Sequence, residues 1–68
     1  MNNRIKLIFR DAFNFRARHS WKGGDQDSYF AAVAADALKV CETHAQDPLC
    51  IAMIVACHED IEREVTGK

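Results

Sequence analysis

Residues Leu49 to Cys57 read LCIAMIVAC, nine consecutive side chains without a charge. Asp47-Pro48 comes just before them. Aspartate caps helix N-termini, and proline is tolerated in the first turn, where its missing N–H needs no partner. The pair therefore starts a helix, which should run to about Val65 and stop before Gly67. Ile51, Ile54, Val55, His58, Ile61 and Val65 form one stripe along it. Leu49, Cys50, Met53 and Cys57 widen that stripe until the first two turns are apolar almost all round. A helix apolar on every side asks for cover on every side. Either the rest of this 68-residue chain supplies that cover or a second chain does.

Burial favours the second chain. A domain this short buries only about 60% of its unfolded surface, and its core seldom contributes more than roughly 3–5 kcal/mol. Yet 49% of the residues are hydrophobic. A homodimer is expected, with Leu49, Met53, Ile54 and Cys57 in the core or at the subunit contact. The apolar run is far shorter than the about 20 residues of a membrane span, so no membrane association is expected. The opening MNNRIKLIFRD interrupts its only apolar run with charges and lacks a signal-peptide pattern. That points to the cytoplasm, with Cys41, Cys50 and Cys57 as reduced, mostly buried thiols.

A second helix is legible in SYFAAVAADALKVCETHA, where Phe30, Val33, Ala34, Ala37, Leu38 and Cys41 keep helical spacing. Asp27 or Ser28 can cap it after the loop KGGDQDS, and HAQDP breaks it from the last helix. The first segment reads two ways. From residue 4 to 18, strand alternation fits twelve of fifteen positions and helical spacing fits eleven. A hairpin with its loop at Arg10 to Ala12 would pair Phe9 with Phe13, Leu7 with Phe15 and Ile5 with Ala17 on one face. Its weakness is a loop without Gly or Asn. The expected fold is therefore α+β, an N-terminal β-hairpin followed by two antiparallel helices in a dimer. The alternative is an all-α three-helix bundle.

Charge is strongly polarised under a net −1. Residues 1–22 carry Arg4, Lys6, Arg10, Arg16, Arg18 and Lys22 against Asp11 alone, whereas residues 23–68 hold nine acids and three cations. Set between Phe13, Phe15 and Trp21, those cations are the candidate partner-binding face, with Trp21 as an aromatic anchor or a lid on the core. Such a face suits an acidic protein surface or a phosphate backbone. It could equally guard an edge strand or meet the acidic end HEDIERE inside the dimer. On this reading, exchanging Arg16 and Arg18 for glutamate abolishes partner binding and leaves the fold intact.

Equipment for chemistry is sparse. Cys41, His44 and Cys50 could converge near the turn between the two helices, but a structural zinc takes four ligands, so no metal or other cofactor is expected. Cys57, His58 and Glu59 are neighbours on a helix, about 100° apart around its axis, and cannot form a dyad with one another. The expectation is a non-enzymatic interaction module, an adaptor or inhibitor such as mobile elements encode. The alternative is a small nucleic-acid-binding regulator using the same basic face.

Overall fold

Aspartates set the start of two helices. Asp25 accepts hydrogen bonds from the Asp27 N–H (3.2 Å) and the Ser28 hydroxyl (2.6 Å). Asp47 accepts from the Leu49 N–H at 2.9 Å, with Pro48 in the first turn. A computed structural model describes residues 3–67, in which α1 spans Asn3–Arg18, α2 Gln26–Thr43 and α3 Pro48–Thr66. The cap of α2 is thus Asp25, upstream of the expected Asp27 or Ser28. Gly67 closes α3 in the left-handed region at φ 75°, its N–H donating to the Arg63 carbonyl at 2.9 Å. The α2–α3 turn is tighter, and Ala45 and Gln46 both take positive φ there. The Gln46 N–H returns to the Cys41 carbonyl at 2.8 Å, which secures the turn.

No strand occurs among the described residues, and the expected N-terminal hairpin is replaced by α1. The architecture is the all-α three-helix bundle. Burial explains the correction. Ile8, which breaks strand alternation, is fully buried together with Ala12 and Phe15, at i, i+4 and i+7. Phe9 and Phe13, which the hairpin would have paired over a core, are 54% and 72% exposed. On this helix Phe15 lies inside and Phe13 outside.

Helices α1 and α3 run parallel, with α2 antiparallel to both. Arg4 of α1 meets Asp47 at the start of α3, and Arg16 meets Asp60 and Glu64 near its end. At mid-length the Cys57 thiol donates to the Ala12 carbonyl at 3.8 Å. Alanine at position 12 lets the two backbones approach, and α1 packs more closely on α3 than on α2. The core holds Ile8, Ala12, Phe15, Val33, Val40, Cys41, Cys50, Ile54 and Ile61. Of the residues assigned to core or dimer, Ile54 is buried, while Leu49, Met53 and Cys57 are half-buried. The bundle is a rod of 41 × 19 × 16 Å, a shape with much surface for its volume.

Burial pushes the Cys50 thiol up to about 11, assisted by the Cys41 sulfur beside it. The two thiols thus lie side by side, and His44 is held by α1, its Nε2 lying 2.7 Å from the Asp11 carboxylate. Among the described residues no cluster of ligands suited to a metal forms.

Candidate functional site

The cations of α1 answer to carboxylates of the same chain. Arg16 donates through Nε to Asp60 at 2.8 Å and through Nη2 to Glu64 at 3.0 Å. Arg18 reaches Asp36 of α2 at 2.8 Å, and His19 Nε2 lies 2.7 Å from the same carboxylate. Arg10 pairs with its neighbour Asp11 at 3.0 Å, and Arg4 with Asp47. The six cations do not share one face. A helix turns consecutive residues by about 100°, so Arg18 points to α2, Arg16 to α3, and Lys6 and Arg10 to solvent. Lys6 and Lys22 are exposed and form no ion pair among the described residues.

Trp21 is half-buried. Its ring stacks edge-on against Tyr29 at 4.9 Å, and its backbone N–H donates to Glu64 at 2.9 Å. The Tyr29 hydroxyl donates in turn to the His19 carbonyl. Trp21 thus lies over the end of the bundle where the α1–α2 loop crosses α3.

These contacts hold several carboxyls low. Burial pushes Asp36 up, but hydrogen bonds from His19 and Arg18 outweigh it. Asp11 behaves the same way through His44 and Arg10. The Arg16 hydrogen bond lowers Asp60, while the Trp21 N–H followed by Arg16 lowers Glu64. A carboxyl whose folded pKa lies below its unfolded value contributes stability above the unfolded value, and that stability is lost as pH falls through the folded one. Asp11, Asp36 and Asp60 start from 3.8 and Glu64 from 4.5. The melting temperature should therefore fall as pH drops below about pH 4. Thermal unfolding followed by circular dichroism checks this, and an unchanged midpoint at pH 3 would contradict it.

What lies uncovered is apolar. Ile5, Phe9 and Phe13 are large exposed side chains on the flank of α1 that carries Arg16, and Arg16 touches α3. Across from them α3 presents Leu49, Met53, Ala56 and Asp60, spaced i, i+4, i+7 and i+11. The parallel register sets Phe9 level with Met53, and Phe13 level with Ala56. The result is a shallow apolar face between α1 and α3, closed at one end by the Arg16–Asp60 pair. Ile51 and Val55 of α3, with Leu38 of α2, leave a smaller apolar patch beyond the α3 ridge.

Phe9 and Phe13, which the expected hairpin pairs on one face, belong to this surface. The signal available was the surplus of apolar side chains over the volume to hold them. No cavity opens among the described residues. Cys57 is engaged with the Ala12 carbonyl and His58 with Glu62 at 3.2 Å, so neither faces the other. No helix among the described residues is long and apolar enough to cross a membrane. No protein family, characterised protein or solved structure matches the chain.

Proposed function

We propose that this chain is a non-enzymatic protein–protein interaction module whose contact surface is the face between α1 and α3. The observation that carries the reading is the exposure of Phe9 and Phe13, 54% and 72%, side by side on a helix whose other apolar side is already buried. Rings left in water cost free energy, and in small proteins such patches mark binding surfaces. Aromatic anchors beside a cationic rim of Lys6 and Arg10 suit another protein chain. A phosphate backbone selects cations free to meet it, and Arg4, Arg10, Arg16 and Arg18 each already hold a carboxylate. The geometry thus supports a protein partner better than a nucleic acid. Arg16 and Arg18 act within the bundle, while Lys6 and Arg10 border the contact.

Photo-crosslinking tests this reading. A benzophenone amino acid in place of Phe13 should yield protein adducts in the cells that make the protein. The same group in place of Lys39, exposed on the far side of α2, should not. Equal adducts from both positions, none from position 13, or adducts to nucleic acid would refute the reading.

A further inference from the structure

We infer that the first occupant of the α1–α3 face is a second copy of this chain, related by a two-fold axis that sets the helices of the two copies antiparallel. The inference rests on the reading of that face as a contact surface and names its partner. Two independent features point to self-association.

The first is area. Phe9 and Phe13, at 54% and 72% exposure, leave about 250 Å² of ring in water, taking ~200 Å² for each phenylalanine. Ile5 at 40% exposure, the half-buried Leu49 and Met53 and the exposed Ala56 add to that apolar surface. An interface of ordinary size takes about 800 Å² from each partner, and homodimers make roughly 65% of it apolar. The face supplies a large part of that apolar share, and the charged side chains around it contribute the polar rim.

The second feature is the placement of unpaired charge. Lys6 borders the face at its N-terminal end, and Glu59 stands one turn beyond Ala56 at the other end. Neither has an ion-pair partner among the described residues, although most charges around them do. By the parallel register of α1 and α3, Lys6 lies level with residue 50 or 51. The midpoint between Lys6 and Glu59 along the bundle therefore falls near Ile54, at the centre of the apolar stretch. A two-fold axis there reverses the helices and brings the cationic end of each copy over the acidic end of the other. A surface that is apolar at its middle and oppositely charged at its ends is complementary to itself under that operation.

Light scattering behind size-exclusion chromatography, at 10 to 200 μM, reads the outcome. The expected mass rises with concentration from that of one chain, 7.7 kDa, toward twice that value. Phe13→Asp should return the monomer with its helical circular dichroism intact, because Phe13 is no part of the core. Lys6→Glu and Glu59→Lys should each weaken the dimer about tenfold, and the double variant should recover most of that loss. A monomer throughout the range overturns the inference, as does a dimer indifferent to Phe13→Asp. A dimer that both charge exchanges leave unchanged overturns the antiparallel arrangement. The crosslink at position 13 separates the two levels of the argument. Adducts to a different protein from a monomeric chain sink the second copy and keep the contact surface, whereas a monomer without adducts sinks both.

Discussion

Phe15→Ala should unfold the chain or lower its melting temperature strongly, whereas Phe13→Ala, two residues away, should leave the fold standing. Phe15 is fully buried between Ile8, Ala12 and the helices packed on α1, and Phe13 is 72% exposed. Truncating a buried phenylalanine costs about 3–5 kcal/mol, from the transfer of its ring and the cavity left behind. A chain of this length has seldom more than about that to lose. Its helical signal at 25 °C should collapse, or persist only with a strongly lowered melting temperature. Removing an exposed ring changes the stability of the monomer by about 0.5 kcal/mol or less. The contrast separates the helix from the hairpin sharply. A hairpin places residues 13 and 15 on the same face, so both substitutions would damage it alike. Equal damage measured by circular dichroism would contradict α1.

The second large effect is on the arginine expected to serve a partner. Arg16→Glu should lower the melting temperature by about 5–10 °C, and Lys6→Glu on the same helix should lower it little in the monomer. Arg16 bridges two carboxylates on α3, Asp60 and Glu64, and Glu64 also receives the Trp21 N–H. Reversal replaces two attractive contacts with three carboxylates in one place and loosens the end of α1 together with the loop that follows. Lys6 has no such duty among the described residues. Lost binding on exchange of Arg16 and Arg18 would therefore report a loosened bundle, and Lys6 with Phe13 is the informative pair for recognition. Equal melting temperatures for Arg16→Glu and the parent would contradict the bridging role.

The parts of this fold that could be read from sequence are those fixed by local chemistry. Asp47-Pro48 and Gly67 mark the ends of α3 because a cap, a proline and a left-handed glycine act within one turn. The apolar run after Pro48 announces surplus surface, which the structure locates at Leu49 and Met53, and at Ile51 and Val55 across the ridge. The first segment defeated the same method because exposed rings imitate buried ones. Phe9 and Phe13 alternate with cations, and any template that equates apolar with buried scores them as core. Their exposure depends on α3 taking the place beside Ile8 and Ala12, a fact about residues more than forty positions away. The ion pairs are equally non-local. Arg16 finds Asp60 and Glu64, and Arg18 finds Asp36, only once α1 lies parallel to α3 and against α2. Polarised charge was visible in composition; that one chain satisfies most of it internally was not.

A dilution series followed by nuclear magnetic resonance tests most directly whether a second copy docks on the face and not on the arginines. Spectra of isotope-labelled protein from about 1 mM to 10 μM would cover the range in which a modest self-association dissociates. The account predicts concentration-dependent shifts at Phe9, Phe13, Met53 and Ala56, with the Arg16 and Arg18 amides unmoved. Shifts centred on Arg16 and Arg18, or a spectrum that does not change with dilution while the mass stays that of one chain, would contradict it.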